Sequence, residues 1–65
     1  MPETKTINGV QVEAEEWKKH GKHRIYFSAG RYGKACWDVQ AGEWIKVHSE
    51  FSYRFKAAVK AAFGL

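Results

Sequence analysis

The feature that most constrains this chain is the alternating residue character between residues 23 and 48. Three short runs, residues 23–27, 34–39 and 43–48, place apolar or aromatic side chains at every second position. Successive side chains of a β-strand point to opposite faces of a sheet, so this period of two predicts three strands. Short connections join the runs, and we therefore expect an antiparallel meander.

The same alternation sorts the side chains of these strands into two faces. One face is apolar and needs a cover, and it is predicted to contain Ile25, Phe27, Ala35, Trp37, Val39, Ile45 and Val47. The opposite face mixes cations with flat aromatic rings, and it is predicted to contain Arg24, Tyr26, Lys34, Cys36, Asp38, Trp44, Lys46 and His48. We expect this second face to be free to bind a partner.

The C-terminal segment carries the pattern of an amphipathic helix. Apolar residues recur there at the spacings of 3, 4 and 7 that form one helical stripe: Phe51, Phe55, Ala58, Val59 and Ala62. Ser49 is a candidate N-cap, and Gly64 is a candidate for the residue that ends the helix. The stripe is predicted to cover the apolar face of the sheet.

The N-terminal third is less regular. Residues 1–4 are expected to form a flexible terminus. Asn8-Gly9 predicts a hairpin turn, although a single bent strand with a bulge at Gly9 also fits the short flanks. Residues 13–20 lack β-branched residues and place acids before bases, which suits the helix dipole, with Gly21 after them. We therefore expect one short helix there, anchored in the core by Trp17.

These elements predict one α+β domain spanning residues 1–65, with a small antiparallel sheet of three to five strands and a C-terminal helix on one face. A domain of 65 residues buries a small core, but its ten aromatic side chains offset that size. A single cysteine excludes an internal disulfide framework. The sequence contains no signal-peptide pattern and no long apolar run, so we expect a cytoplasmic protein without a membrane partner.

The charge of the chain is divided unevenly along its length. Residues 1–16 hold one lysine and four glutamates, a net charge of −3, whereas the remainder holds ten lysines and arginines and three acids, a net charge of +7. A basic body favours an anionic partner, either nucleic acid, single-stranded or duplex, or an acidic protein surface. A charge that serves solubility alone is the alternative.

Three groups of residues are candidates for binding. Residues 18–24 form a basic run that is suited to phosphates, with Lys18, Lys19, Lys22 and Arg24 as its permanent cations. The alternative is a solvated segment, partly neutralised by the preceding glutamates. Tyr26 and Trp44, flanked by Arg24, Lys34 and Lys46, are predicted to stack against bases. The alternative is that one of these two rings packs under the predicted short helix beside Trp17 and leaves only the cations exposed. Arg31 and Tyr32 lie between two glycines in a predicted loop, where they are available for contacts, and a loop that only serves solubility is the alternative.

No catalytic, metal or cofactor site is predicted. His20, His23, Cys36 and His48 are the soft metal ligands of the chain. His20 and His23 have ligand-like spacing, but Cys36 and His48 belong to separate predicted strands and supply no second pair, so a zinc site is not predicted. Cys36, His48 and Asp38 supply the residue types of a nucleophilic site without a motif that joins them.

The sequence therefore predicts a small basic binding module without enzymatic activity, with nucleic acid as the favoured partner. The alternative is a protein-interaction or inhibitor domain, such as those of mobile genetic elements, that presents the same face to an acidic protein. We expect a monomer or a weak homodimer.

Overall fold

The computed structural model describes residues 3–65 and consists of one five-stranded antiparallel sheet and one α-helix. The strands follow one another in the sheet in chain order. Their bounds are β1 Glu3–Ile7, β2 Val10–Lys19, β3 Lys22–Ser28, β4 Lys34–Asp38 and β5 Glu43–Val47, followed by helix α1 at Tyr53–Phe63. A short 3₁₀ turn at Gly30–Tyr32 joins β3 to β4. The predicted α+β class, meander and C-terminal helix are confirmed.

Two tight turns build the first three strands into hairpins. Asn8 and Gly9 both have positive φ, 51° and 78°, as a type I′ hairpin turn requires, so the predicted Asn-Gly hairpin is confirmed. His20 and Gly21 repeat this geometry with φ of 54° and 72°. Strand β1 already begins at Glu3, which pairs with Ala14, so residues 3 and 4 lie in a strand where a flexible terminus was expected. Residues 1 and 2 lie outside the described part of the chain.

The short helix predicted for residues 13–20 is wrong, because residues 13–19 belong to β2 and His20 to the turn that follows it. Seven residue pairs join β2 to β3, from Glu13 opposite Ser28 to Lys19 opposite Lys22. An isolated helix of two turns is marginal in water, whereas this strand gains a ladder of hydrogen bonds along its whole length. Val12 and Ala14 then face the core, and Trp17 lies on the opposite face instead of anchoring a helix.

The core lies between α1 and one face of the sheet. Its fully buried members come from the strands, the loops and the helix, and the largest of them are Phe27, Phe51, Val12 and Val59. Aromatic rings meet edge to face or tilted across this layer, as in the contact of Phe27 with Phe63 at 5.2 Å. Lys5 connects β1 to the end of the helix, because its Nζ donates a hydrogen bond of 2.6 Å to the carbonyl of Ala62.

The helix begins later than the sequence indicated. Ser52 is the N-cap, and its Oγ accepts a hydrogen bond of 3.2 Å from the backbone N–H of Phe55, whereas Ser49 donates to Glu50. Gly64 ends the helix in the left-handed conformation with φ of 69°, as predicted. Phe55 and Val59 of the predicted apolar stripe are buried, whereas Phe51 precedes the helix and is buried there.

A β-bulge in β5 changes the face on which Trp44 lies. Cys36 pairs with Lys46, but the next residue of β4, Trp37, pairs with Trp44, so Ile45 is an extra residue without a partner in β4. Trp44 consequently turns toward the core. The predicted faces of Trp44 and Ile45 are wrong, because the bulge shifts the alternation by one residue. Ile45 and Val47, which were expected to be covered, are 37% and 36% exposed.

Candidate binding surface

The face of the sheet turned away from α1 is uncovered, and we call it the open face. Strand alternation and pairing assign its members: Thr4, Thr6, Gln11, Glu13, Glu15, Trp17, Lys19, Lys22, Arg24, Tyr26, Ser28, Lys34, Cys36, Asp38, Lys46 and His48. It includes most of the residues predicted for a binding face, and it adds the glutamates of β2 that a short helix would have carried elsewhere.

An aromatic pair occupies the middle of the open face. The rings of Trp17 and Tyr26 meet edge to face with centroids 6.3 Å apart, and the Arg24 guanidinium lies 5.7 Å from the centroid of the Trp17 ring. Tyr26 remains 42% exposed. Nε of Arg24 is buried and has no hydrogen-bond partner within residues 3–65. The three side chains contact one another, and Tyr26 has the more accessible ring because Trp17 is half-buried.

A groove of about 740 Å³ runs beside this pair along the open face. Two rows of residues cross it from β2 toward β5. In the first row Glu15 is opposite Tyr26, Tyr26 is opposite Cys36, and Cys36 is opposite Lys46. In the second row Glu13 is opposite Ser28, and Ser28 is opposite Lys34. Both rows therefore begin with a carboxylate and end with an ammonium group.

His48 extends the second row and is held in a defined orientation. Its Nδ1 accepts a hydrogen bond of 3.0 Å from the backbone N–H of Lys34. The ring also lies against Gly33, where a Cβ atom would come within 2.9 Å of the Cβ of His48. Gly33 has φ of 84°, which favours glycine in any case. Because Nδ1 is the acceptor, the neutral ring carries its proton on Nε2 and is a donor at that position.

Cys36 lies in the middle of the groove but is buried. Burial raises the pKa of its thiol, and a hydrogen bond with Tyr26 opposes that rise only in part. A neutral thiol is a poor nucleophile. The other members of the Cys36, His48 and Asp38 set are engaged elsewhere, since Asp38 Oδ1 accepts hydrogen bonds from the backbone N–H groups of Gln40 and Ala41. The residue types do not form a nucleophilic site.

The basic run of residues 18–24 forms the tip of the β2–β3 hairpin, and the pleat divides it. Lys19, Lys22 and Arg24 point to the open face. Lys18 and His23 point to the helix side, where both contact Glu16, Lys18 at 3.9 Å and His23 at 2.7 Å. The hydrogen bond from His23, followed by the charge of Lys18, lowers the pKa of Glu16. Lys18 is therefore separated from the other predicted phosphate contacts.

Two further predicted contact residues pack against the core. Trp44 contacts Phe27, Trp37 and Phe51, with ring centroids 5.1 to 5.8 Å away. Tyr32 stacks on Phe55 with centroids 4.3 Å apart and an interplanar angle of 15°. Neither ring lies on the open face. Arg31 is exposed in the 3₁₀ turn, with its guanidinium 5.3 Å from the centroid of Tyr32.

The helix carries a second basic surface that the sequence pattern did not indicate as a binding site. Arg54, Lys56 and Lys60 are its cations, α1 contains no acid, and Tyr53 is 81% exposed. Two of these cations lie near aromatic rings, with Lys56 Nζ 5.8 Å from the ring centroid of Tyr53 and Lys60 Nζ 5.3 Å from that of Trp37. This surface lacks the carboxylates of the open face, and it provides a matched comparison for experiments.

Within residues 3–65, no three or more His, Cys, Asp or Glu side chains are grouped closely enough to hold a metal ion. The same part of the chain contains no helix with the length and apolar character needed to span a membrane. Comparison with protein-family models, with curated proteins and with solved structures finds no match. The residues of the open face are therefore the basis on which a function can be proposed.

Proposed function

We propose that this domain binds nucleic acid through the open face. The observation that carries the proposal is an uncovered sheet face that holds an accessible aromatic ring, Tyr26, together with several cations. Arg24 lies two residues before it on β3, Lys34 and Lys46 lie on β4 and β5, and Lys19 and Lys22 extend the positive charge to the hairpin tip. Aromatic rings that stack on bases and cations that contact phosphates are the two components of single-strand binding surfaces.

The positive charge of Lys34 and Lys46 is available to a ligand. Neither side chain forms an ion pair or a hydrogen bond with another side chain in the described part of the chain, and both residues are exposed. Each cation that neutralises a phosphate releases condensed counterions, so binding should weaken linearly on a plot of log affinity against log salt. For single strands the slope is about 0.7 for each phosphate contacted.

A direct test compares two lysine pairs by fluorescence anisotropy with a labelled oligonucleotide over a range of salt concentrations. Lys34→Ala with Lys46→Ala removes two charges from the open face, and Lys56→Ala with Lys60→Ala removes two from α1. We expect the first pair to reduce the salt slope by about 0.7 for each phosphate that is no longer neutralised, and the second to change it little. The opposite pattern, or no binding at low salt, would refute the proposal.

One observation favours a protein partner as a second candidate. Strand β5 is an edge of the sheet, and it exposes two aliphatic side chains, Ile45 and Val47. Exposed edges can pair with a strand of another chain. If an acidic protein is the partner, removal of the open-face lysines should slow association and leave dissociation nearly unchanged. Substitution of Ile45 by Lys should instead speed dissociation, which kinetic binding measurements would distinguish.

A further inference from the structure

We propose that the open face selects single-stranded nucleic acid whose bases carry an amino group. Among the pyrimidines it therefore prefers cytosine to uracil. This inference rests on the nucleic-acid function proposed above and specifies its substrate. The phosphate is placed at Lys34, Lys46 and His48. The base is placed on Tyr26 with its amino group directed toward Glu13 and Glu15.

Positive and negative charges are held apart across the groove. Adjacent strands lie about 4.8 Å apart, so the three strand spacings between Glu15 and Lys46 amount to roughly 14 Å. The spacing separates Glu15 from Lys46, and neither Glu13 nor Glu15 is paired with a lysine of β4 or β5. Within residues 3–65 neither Glu13 nor Glu15 forms an ion pair or a side-chain hydrogen bond. Both ends of the groove keep their charge for a ligand.

This arrangement of charges matches a single nucleotide unit. A nucleotide is anionic at its phosphate, and an amino group on its base adds hydrogen-bond donors to the base edge. Tyr26 lies between the acidic and basic ends of its row and is 42% exposed. A base on this ring would have its phosphate toward the cations, and its edge would reach the glutamates.

The glutamates also act against duplex as the favoured substrate. A duplex presents phosphates on two strands, one negative charge for about every 1.7 Å of its axis. A backbone that meets both ends of the groove would bring phosphates against Glu13 and Glu15. A paired base also has its amino group engaged with its partner base and cannot stack on a protein ring, whereas an unpaired base can be splayed out. The open face therefore favours single strands.

His48 adds a directed donor at the phosphate end. With Nδ1 occupied by the backbone N–H of Lys34, the proton of the neutral ring is on Nε2. Gly33 leaves room for the ring in this position, since a Cβ atom there would be too close to it. His48 lines the same groove as the two lysines. We expect it to donate to a phosphate oxygen beside them.

Cytosine and uracil provide the sharpest test, because they have similar ring area and differ in the group that faces the carboxylates. Cytosine presents the two N–H donors of its N4 amino group to them. Uracil has the O4 carbonyl at that position, which a carboxylate repels, and its single edge donor, N3–H, lies between two carbonyls. We expect single-stranded oligo-deoxycytidine to bind about tenfold more tightly than oligo-deoxyuridine of the same length at neutral pH and fixed salt. The matching duplex should bind more weakly than oligo-deoxycytidine.

The variant that tests the assignment is Glu13→Gln with Glu15→Gln. Glutamine removes the charge and can donate to a carbonyl, so the preference for cytosine should fall to about twofold or less. Glu3→Gln with Glu50→Gln makes the same change of net charge away from the groove, and it should retain the tenfold preference. All of these glutamates are exposed, and thermal melting would check that the variants remain folded.

The outcomes separate this inference from the function on which it rests. Equal binding of cytosine and uracil oligomers, or a preference that survives Glu13→Gln with Glu15→Gln, would overturn the assigned base contact. Duplex binding as tight as that of oligo-deoxycytidine would overturn the single-strand assignment. In these cases the nucleic-acid function itself would stand. If no oligonucleotide binds at low salt, the proposed function fails as well.

Discussion

The two faces of this sheet come from the same strands, and they differ in what their residues do. On the helix side, Phe27 contacts Phe63 and Trp44, and these rings exclude water from the core. On the open face, the neighbouring residue Tyr26 contacts Trp17 and stays 42% exposed among charged groups. One side therefore stabilises the domain and leaves the other free to carry function. Substitutions on each face should separate stability from binding.

The largest expected effect belongs to the helix side. Phe55 is 3% exposed and contacts both Phe51 and Tyr32, so Phe55→Ala should destabilise the domain by about 3 to 5 kcal/mol. Such a loss could unfold so small a domain. Thermal melting would measure it. Tyr53→Ala, at the 81% exposed start of the helix, is the control and should be nearly neutral. A near-neutral Phe55→Ala would contradict the assignment of the core.

Gly33 tests whether one part of the open face is tightly packed. Its φ of 84° and ψ of −150° suit glycine, and a Cβ atom there would meet the ring of His48. We expect Gly33→Ala to cost about 2 to 3 kcal/mol, against about 1 kcal/mol for Gly42→Ala, which has positive φ but open space. Denaturant melts of both variants would measure the difference. Addition of His48→Ala to Gly33→Ala should recover part of the loss, and no recovery would mean that the ring contact is unimportant.

Substitution of Tyr26 is expected to weaken binding and leave stability intact, the opposite of substitution of Phe55. Tyr26→Ala should weaken binding of a single-stranded oligonucleotide by about 1 to 3 kcal/mol, because one base loses its stacking partner. The fold should remain, since the ring is partly exposed. Tyr26→Phe keeps the ring and should bind nearly as well as the original chain. Anisotropy titrations of both variants would measure this difference. If Tyr26→Ala binds the oligonucleotide as tightly as the original chain does, Tyr26 is not part of the interface.

The smallest effect concerns the exposed pair of Glu16 and His23 on the helix side. The pKa of Glu16 is lowered in the folded state, so the stability linked to it is present above the ordinary value of 4.5 and is lost as pH falls through the lowered folded pKa. Glu16→Gln should reduce the loss of stability at acid pH. The reduction should be slight, because the pair is exposed to solvent. Melts across the acid range would measure it, with Glu15→Gln as the matched control. A larger effect of Glu15→Gln would contradict the assignment.

Much of the fold could be predicted from the sequence because its signals are local. Asn8-Gly9 has the residue types that its turn requires, and the apolar spacing of Phe55 and Val59 indicates the buried face of the helix. Residues 13–19 were predicted wrongly because their order of acids and bases is typical of a helix, while the pairing that makes them a strand comes from β3. Strand propensity depends on such partners, and one segment alone does not reveal them.

The candidate site was predicted only in part for the same reason. Arg24, Tyr26, Lys34 and Lys46 followed from simple alternation and lie on one face. Trp44 did not, because the bulge at Ile45 has no signature in the sequence and follows from packing of Trp44 against the core. Had residues 13–19 been interpreted as a strand, the alternation would also have placed Glu13 and Glu15 on that face.

The most direct test of the central claim is nuclear magnetic resonance of the isotope-labelled domain during titration with a single-stranded oligonucleotide. If the open face is the binding surface, amide signals should shift in the middle of β2 and β3 and in β4 and β5, with the largest shifts around Tyr26, Lys34, Lys46 and His48. Signals of Tyr53, Lys56 and Lys60 should change little. Shifts confined to α1, with the open face unchanged, would contradict the account.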